Sequence, residues 1–599
     1  MGAAPPAPGT LRRLAGGDPK GGEAVAVDRQ QALARLQQET FDLLIIGGGI
    51  TGSGVAREAA HRGLRVAVVE ARDFAAGTSS RSTKLIHGGL RYLKERDFRL
   101  VHEAVVERMR LLRLAPHLVR AEWFVFPVYR GDPDPLWQLR IGLWLYDRYA
   151  GRSLGTLRHR ILSPQRVREE EPLLRQEGLV GAGMYVDAVT DDARLTATVA
   201  RQAVAAGAVV ANYAEVTGFI KDGQGRVVGV RVRDRLAGGA PPAASAAPGA
   251  ADEGTNPAAP GTAAAGGAAG QAPAGGDEFV VRARKILNAT GPWADRVRQL
   301  DDPASPRLLR LTKGIHIAFT RERLPIRHAV TMRGPDGRIM FAVPRGAFAY
   351  AGTTDTVYRD DPARPRPEAD DVRYVLDALG RNFPGTGLGP DDVISAWAGL
   401  RPLIDPGDAR DPSAISRDYQ LYTSPSGLVT VAGGKLTAYK AMARNIVDKV
   451  FPETRGAPVD EEPLPGGARV PTEGELREKA GRTGLPVEEL QWLARHFGDE
   501  LDRVLGYLRP EDLQAGPRAA RVRAAARYAA AEEMAQTLAD ALWRRVPEAL
   551  WSTDNGRGVA ADAAAAMGEI LGWDDARRDA EVAAYLAQVE AMHAWRQGF

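Results

Sequence analysis

FDLLIIGGGITGSGVAREAAHRGLRVAVVE, residues 41–70, decides the fold. The stretch has the order of an apolar strand, a glycine turn, a helix and a second apolar strand. In its G-x-G-x-x-G pattern, Gly47 permits the tight turn, Gly49 lets the backbone approach a pyrophosphate, and Gly52 allows close helix–strand packing. Glu70 ends the second strand, at the spacing where a carboxylate binds a ribose diol. We therefore predict a Rossmann-like unit that binds FAD or NAD rather than NADP.

Two later segments favour a flavin. Residues 286–295, ILNATGPWAD, form an apolar strand that ends in Asn-Ala-Thr-Gly before a proline. Residues 427–450, GLVTVAGGKLTAYKAMARNIVDKV, again have a strand, a glycine pair and a helix, whose N-terminus could face the flavin ring. The G-x-G-x-x-G pattern occurs once, whereas an enzyme that reduces its flavin with NAD(P)H usually carries a second. We therefore expect the electrons to come from a bound organic substrate.

The bulk composition removes several classes of function. With 599 residues the chain is too long for one hydrophobic core. Its 79 basic and 75 acidic residues nearly balance, so we expect no nucleic-acid partner. The absence of cysteine excludes disulfides, thiolate catalysis and iron–sulfur ligation. Because there is neither a signal-peptide pattern nor an apolar run of about 18 residues, we expect a cytoplasmic protein, at most peripheral at the inner face of the cell membrane.

The order of the segments predicts an α/β fold, in which a Rossmann-like FAD-binding domain is interleaved with an α+β substrate domain and followed by an α-helical C-terminal domain. The expected parts are a flexible tail (1–39), the FAD-binding domain (40–120, 191–300 and 396–455), the substrate domain (121–190 and 301–395) and the helical domain (456–599). The tail begins rich in proline, glycine and alanine and becomes helix-like near DRQQALARLQQETF, residues 28–41. Residues 236–277 are nearly all alanine, glycine and proline, so we expect a disordered insertion at a hairpin tip.

Eight sequence blocks carry a family resemblance. They are the stretch from IIGGGITGSG to STKLIHGGLRYL, then YVDAVTDDARLT, LNATGPWAD, TKGIHI, AGTTD, GLRPL, SRDYQL and VAGGKLTAYK, in this order. Together they resemble the FAD-dependent glycerol-3-phosphate dehydrogenases, within the larger class of D-amino-acid-oxidase-like flavoproteins. The resemblance covers roughly residues 40–455, and the helical region beyond them is similar to that family's C-terminal domain. The insertion and the N-terminal tail depart from the family but touch none of the blocks.

The resemblance implies oxidation of sn-glycerol 3-phosphate to dihydroxyacetone phosphate, with a hydride passing from C2 to N5 of a noncovalently bound FAD. The phosphate would be bound by Arg401, Arg417 and Lys435, which lie in the matching blocks; bidentate arginine suits this task. His316 is the first choice as the base, because a neutral imidazole can accept the hydroxyl proton. Arg91 or water is the alternative base, Lys435 is a further catalytic candidate, and a purely structural core histidine stays open.

The segment STKLIHGGLRYL, residues 82–93, is interpreted as a flavin cradle. Its glycine pair would let the backbone approach the ring, its histidine would position the flavin, and Arg91 and Tyr92 would face the substrate. Thr354 is a further substrate-binding candidate, although an ordinary turn explains it nearly as well. The expected cofactor-binding residues are Gly47, Gly49, Ile50, Thr51, Gly52, Glu70, Ala71, Thr78, Ser79, Ser80, Ser82, Lys84, Leu85, His87, Gly88, Gly89, Ala289, Thr290, Gly291, Trp293, Gly433, Gly434, Lys435, Leu436 and Thr437.

Three aspartates in the segment YVDAVTDDARL are interpreted as structural. Asp191 or Asp192 is expected to cap a helix that follows them, and we assign no metal to the group they form with Asp187.

The electron acceptor stays open at this stage. A quinone would make the protein a dehydrogenase, whereas a glycerol-3-phosphate oxidase shares fold and substrate and passes its electrons to oxygen. An amine or amino-acid oxidase of the same class would need a carboxylate clamp instead of the cationic group of Arg401, Arg417 and Lys435. A scaffold that carries FAD without activity is discouraged by the polar groups spread over several blocks.

A quinone acceptor would require contact with a bilayer. Residues 134–152, DPLWQLRIGLWLYDRYAGR, combine Trp137, Trp144 and Tyr146 with arginines, which is typical of an interfacial element. A helix packed in the core of the substrate domain is the alternative. A homodimer is also possible.

Overall fold

The structure is a computed structural model, and it describes residues 28–90, 97–151, 155, 157–237, 278–405, 407, 419–456 and 461–599. Two β-sheets and a helical C-terminal region make up this part of the chain, so the expected fold class is confirmed.

The first sheet has eight strands, and its centre is parallel. Strands β1 (Thr40–Ile46), β2 (Val66–Val69), β7 (Val209–Ala211), β10 (Glu278–Asn288) and β18 (Val429–Ala432) run parallel in the order β18-β10-β1-β2-β7. Strand β17 (Gln420–Thr423) pairs antiparallel with β18. Strands β8 (Ala214–Lys221) and β9 (Val227–Asp234) form a hairpin, which is attached to the sheet because β9 pairs antiparallel with β10. All of β2 is apolar and buried, as expected of a strand covered on both faces.

The second sheet has ten strands and is mostly antiparallel. Its strands are β3 (Leu85–Ile86), β4 (Val119–Tyr129), β5 (Arg160–Leu162), β6 (Leu179–Thr190), β11 (Leu309–Thr320), β12 (Ala329–Arg333), β13 (Ile339–Arg345), β14 (Phe348–Gly352), β15 (Thr356–Val357) and β16 (Ser395–Ile404). The central order is β15-β11-β14-β13-β12-β4-β6-β3, with β16 beside β11 and β5 beside β6.

Helices surround both sheets. The helices before the C-terminal region are α1 (Arg29–Gln38), α2 (Ile50–His61), α3 (Phe98–Leu114), α4 (Leu136–Ala150), α5 (Pro164–Glu170), α6 (Asp192–Ala205), α7 (Ala294–Asp301), α8 (Ala369–Asn382) and α9 (Tyr439–Val450). Helix α2 packs against α6 and α9. Asp191 caps α6 by accepting from the Arg194 N–H at 3.0 Å, which confirms the expected cap.

The described residues of the C-terminal region form helices joined by turns and loops, without a strand. The region comprises α10 (Glu473–Thr483), α11 (Val487–Phe497), α12 (Leu501–Leu505), α13 (Pro517–Glu532), a π-helical turn (Asp540–Arg545), α14 (Ala560–Leu571) and α15 (Asp575–Met592). Its apolar core is continuous with the core around α3 and α4. No helix in the described ranges is long and apolar enough to cross a bilayer.

Two expected boundaries are wrong. Residues 29–38, assigned to a flexible tail, form α1, which is anchored because Arg29 pairs with Asp234 at 2.5 Å. Strand β16, assigned to the FAD-binding domain, pairs along its whole length with β11 of the second sheet. Residues 238–277, most of the expected insertion, lie outside the described part of the chain.

Candidate functional site

A cavity of about 750 Å³ lies between the two sheets, at the carboxyl ends of β1, β2, β10 and β18. Ligands of open α/β sheets bind at this edge, where the loops that follow the strands converge. The expected site residues that line it are Gly47, Gly49, Ile50, Thr51, Glu70, Ala71, Thr78, Ser79, Ser82, Leu85, His87, Ala289, Thr290, Gly291, Trp293, His316, Arg401, Gly433, Gly434, Lys435, Leu436 and Thr437. Residues from segments far apart in the chain are thus brought together around one cavity.

The glycine turn after β1 leaves backbone open to the cavity. Gly47 has a φ of +111°, and a Cβ there would lie 2.7 Å from the Ala289 carbonyl oxygen. A Cβ on Gly52 would lie 2.0 Å from the Gly47 carbonyl oxygen, so Gly52 permits the close packing expected of it. Helix α2 begins at the cavity, where the Ile50 N–H donates to Ser79 Oγ at 3.0 Å. Such a helix N-terminus attracts anions.

The carboxylate of Glu70 braces this turn. It accepts from the backbone N–H of Gly48 at 2.7 Å and from that of Arg72 at 2.9 Å. Burial raises the pKa of Glu70, and the two N–H groups oppose that effect. Because Glu70 also lines the cavity, it can accept a hydrogen bond from a sugar hydroxyl there.

Arg72 and Arg81 also line the cavity, and neither was predicted from the sequence. The Arg72 guanidinium lies 4.6 Å from the centre of the Trp293 ring. Burial, together with the charges of Arg72 and Arg544, lowers the pKa of Arg81 to about 9. A partly buried guanidinium among like charges is stabilised by a bound anion. The sequence signal that could have indicated them is the position of Arg72 two residues after Glu70 and that of Arg81 within the TSSRS run.

His316 lies on β11 and faces the cavity. Its ring stacks on Trp397 of β16 with 5.0 Å between the ring centres, and its Nε2 lies 3.0 Å from Thr83 Oγ1. Its Nδ1 is buried without a hydrogen-bond partner among the described residues. Burial, and then the charges of Arg401 and Lys84, hold the pKa of His316 well below its ordinary value. The imidazole is therefore neutral and able to accept a proton.

Arg401 on β16 is oriented by two side chains. Its Nη1 donates to Asp355 Oδ1 at 3.1 Å, and its Nη2 donates to Thr353 Oγ1 at 2.9 Å. Gly314 makes room for it, since a Cβ on this glycine would lie 2.4 Å from Arg401 Nη2. Lys435 lines the same cavity. The cavity lining thus carries the cations Arg401 and Lys435 in addition to His316, and it can bind a phosphate dianion.

Two expected contacts are corrected by the structure. Thr354 is buried away from the cavity, where its Oγ1 accepts from the Ile315 N–H at 3.1 Å. The Lys84 ammonium pairs with Asp192 at 2.6 Å and donates to the Ser80 carbonyl at 3.0 Å. Neither side chain is among the described residues that line the cavity, because each is engaged by a structural partner.

Gly88 contacts helix α4, whereas the sequence predicted a contact with the flavin. Its N–H donates to Tyr146 Oη at 2.7 Å, and a Cβ there would lie 2.3 Å from that oxygen. Tyr146, expected at an interface, is buried and donates to Asp187 at 2.5 Å. Gly52, Ser80 and Gly89 also do not line the cavity. Arg91, Tyr92 and Arg417 lie outside the described residues.

The cavity fits FAD. The open glycine turn and the α2 N-terminus suit a pyrophosphate, and Glu70 suits a ribose. Arg81 supplies a partly buried positive charge close to the cations Arg72 and Arg544. Gly433 and Gly434, with φ of +79° and +122°, leave backbone exposed at the cavity beside Lys435.

Family models match nearly the whole described chain. The model of the FAD-dependent oxidoreductases matches residues 42–440, and the model described as the C-terminal domain of α-glycerophosphate oxidase matches residues 458–578.

The matches to individual relatives agree with those to the family models. The chain is 38% identical to the aerobic glycerol-3-phosphate dehydrogenase of Bacillus subtilis over 87% of this chain and 89% of the relative. It is 40% identical to the aerobic glycerol-3-phosphate dehydrogenase of Staphylococcus aureus over 70% of this chain and 69% of the relative. Among solved structures, the glycerol-3-phosphate dehydrogenase from Bacillus halodurans complexed with FAD matches with a TM-score of 0.74 and 32% identity, over 95% of this chain and 98% of that one.

Proposed function

Because the chain belongs to the family of FAD-dependent glycerol-3-phosphate dehydrogenases, we propose that it oxidises sn-glycerol 3-phosphate to dihydroxyacetone phosphate. The observation that carries the proposal is that His316, Arg401 and Lys435 all line the cavity that fits FAD. An amino-acid substrate would need the cavity to bind a carboxylate in an apolar pocket, whereas two cations suit a phosphate dianion.

The substrate phosphate binds to Arg401 and Lys435. Asp355 and Thr353 hold the Arg401 guanidinium in one orientation, so little side-chain entropy is lost when the phosphate binds. The fixed phosphate then positions the C2 hydroxyl for reaction.

His316 accepts the proton of the C2 hydroxyl. Stacking on Trp397 and the contact with Thr83 fix its ring, and its Nδ1 has no protein partner among the described residues. FAD, when bound, supplies the hydride acceptor at N5. The neutral imidazole next to Arg401 can take up the proton as the C2–H bond is broken.

An anaerobic titration of the holoprotein with sn-glycerol 3-phosphate tests this function. We expect stoichiometric bleaching of the flavin absorbance. Arg401→Gln should raise the substrate concentration for half-bleaching about tenfold to hundredfold, since a charge-assisted phosphate contact is lost. Arg310→Gln is the control, because Arg310 pairs with Asp405 outside this cavity. Bleaching by glycine or proline but not by glycerol 3-phosphate would contradict the proposal.

A quinone is the proposed electron acceptor, and the protein is proposed to reach it at a membrane surface. On α4, Trp137, Ile141 and Trp144 are 61%, 58% and 58% exposed and follow one another at helical spacing. Arg140 and Arg148 are exposed on the same side, and no acidic residue of α4 is exposed. Aromatic and basic side chains on one helix face suit the headgroup region of an anionic bilayer. A symmetric dimer through this face would bring the same arginines together.

Sedimentation with anionic vesicles tests the membrane contact. We expect the double variant Trp137→Ser/Trp144→Ser to lose most vesicle binding, and Val470→Ser, an exposed apolar position elsewhere, to keep it. If the parent protein binds no vesicles and the double variant loses dimerisation, this face is instead an interface with a second copy of the chain. Stoichiometric peroxide in place of quinone-analogue reduction would favour the oxidase.

A further inference from the structure

The loop 70–76 connects the cofactor cavity to the helical C-terminal region. On one side, Glu70, Arg72 and Ala76 line the cavity. The loop is tied to the glycine turn, because the Ala75 N–H donates to the Gly48 carbonyl at 3.2 Å. The Phe74 ring also packs on this turn, where a Cβ on Gly48 would lie 2.5 Å from it. The loop and the turn therefore hold each other in place.

On its other side, the same loop presents Asp73 to the C-terminal region. Arg545 binds the carboxylate in a bidentate manner, with both Nη atoms at 2.8 Å, and Arg544 Nε donates to it at 2.6 Å. Asp73 and Arg545 have side chains that are 0% exposed. Although burial acts to raise it, Arg545 and Arg544 hold the pKa of Asp73 below its ordinary value. The carboxylate is therefore ionised and enclosed by both arginines.

A second set of contacts reinforces this junction. Asn212 Nδ2 donates to Asp73 at 3.2 Å, and Tyr213 Oη donates to Asp540 at 2.8 Å. The Tyr213 N–H in turn donates to the Arg72 carbonyl at 2.8 Å. The backbone of the cofactor loop is thus bound from two directions to the turn Asp540–Arg545.

We propose that the helical C-terminal region acts as a clamp for FAD: Arg544 and Arg545 hold Asp73, and with it Glu70 and Arg72, in the position that binds the cofactor. Neither Arg544 nor Arg545 lines the cavity, so they are positioning residues rather than cofactor contacts. This inference rests on the proposed binding of FAD in the cavity and goes beyond it by giving the C-terminal region a role.

A comparison of two buried ion pairs distinguishes a clamp on the cofactor loop from general stabilisation of the C-terminal region. Removing one partner of a buried ion pair leaves the other charge buried and unpaired. At Asp73 this strain is relieved by movement of the loop, which displaces Glu70 and Arg72. The pair Arg527–Asp512 is also buried and bidentate, at 2.7 and 3.0 Å, but both of its residues lie within the C-terminal region. Its loss weakens packing there without moving the loop.

The test compares Asp73→Asn and Arg545→Lys with the matched control Arg527→Lys. The dissociation constant of FAD is measured from flavin fluorescence released on serial dilution of each holoprotein. We expect Asp73→Asn and Arg545→Lys to raise the dissociation constant of FAD at least about tenfold, which corresponds to about 1.4 kcal/mol. The control Arg527→Lys is expected to stay within about twofold of the parent protein. Turnover of each variant at saturating FAD is expected to stay near that of the parent protein.

Thermal unfolding with and without added FAD gives a second readout for variants that fold poorly. Added FAD should raise the Tm of Arg545→Lys strongly, because its cofactor site is only partly occupied, and should change that of Arg527→Lys little. A parental FAD affinity in Asp73→Asn and Arg545→Lys, or an equal loss in Arg527→Lys, overturns the clamp. Since FAD release is measured without substrate, failure to oxidise glycerol 3-phosphate would leave this result unaffected.

Discussion

His316 shows how a single residue obtains its chemistry from its surroundings. The block TKGIHI predicts only a strand with a histidine in it. The stacking on Trp397 and the nearby cation Arg401 come from β16, which is 80 or so residues further along the chain. Burial and these charges favour the neutral ring, as a general base requires.

The lowered pKa of His316 predicts the pH dependence of turnover. A base with a depressed pKa stays unprotonated on acidification. The loss of turnover should therefore begin at a pH well below 6.5, which is the ordinary pKa of histidine. His316→Asn should lower kcat about 10² to 10⁴-fold while FAD stays bound. Steady-state rates between about pH 5 and pH 8 check both expectations. An acidic limb centred near 6.5, or a His316→Asn variant with parental kcat, would contradict the assignment.

At the scale of elements, the β1–α2 unit depends on how closely its turn and helix approach. Gly52 lies in the first turn of α2, and the position of a Cβ there, 2.0 Å from the Gly47 carbonyl oxygen, allows no other residue without displacement. Gly54 plays a similar part against α9, because a Cβ there would lie 2.8 Å from the Tyr439 ring. Both glycines serve packing, although only the first belongs to the nucleotide-binding pattern.

Alanine at position 52 should therefore be harmful despite its higher helix propensity. We expect Gly52→Ala to destabilise the fold and to abolish FAD retention, since the turn must shift away from the helix. Gly380→Ala is the control: this glycine lies inside α8 with nothing within 4 Å of its Cβ position, and alanine there should stabilise by about 0.5–1 kcal/mol. Bound flavin after gel filtration and denaturant unfolding measure both. Parental flavin content in Gly52→Ala would disprove the packing argument.

At the scale of the whole molecule, two histidines lie where the C-terminal region meets the rest of the chain: His117 is buried and His496 is partly buried. His117 follows α3 and approaches Gly466, whose Cβ position lies 2.9 Å from His117 Nε2. His496 stacks on Trp492 with 3.8 Å between ring centres. Burial lowers the pKa of both histidines to about 3. The folded protein therefore keeps them neutral at a pH where the unfolded chain protonates them.

This difference predicts loss of stability in acid. Between the unfolded value of 6.5 and the folded value of about 3, the unfolded chain binds more protons, so the free energy of unfolding falls as the pH falls. Each histidine contributes about 1.4 kcal/mol per pH unit. His496→Gln should remove one such share of the pH slope of the unfolding free energy in denaturant titrations. Equal slopes in the variant and the parent protein would refute the prediction.

Local patterns predicted the fold class, the cofactor and much of the cavity wall. Glycine spacing and strand–helix alternation depend on neighbours in sequence, so the wall around Gly47, Glu70 and Gly433 could be inferred. Lys84 and Gly88 were assigned to the cofactor because their true partners, Asp192 and Tyr146, lie 108 and 58 residues further along the chain. Arg72 and Arg81 were missed because their positions beside Trp293 and Arg544 depend on the packed structure.

The sequence by itself determined the nucleotide-binding unit, since its turn, helix and strands are specified by residues within thirty positions of one another. Only the tertiary structure decided that β16 joins the second sheet, that Tyr146 is buried, and that Arg545 binds Asp73 across 472 residues. Local backbone preferences act between near neighbours, whereas burial, pKa and ion pairing depend on which distant segments pack together.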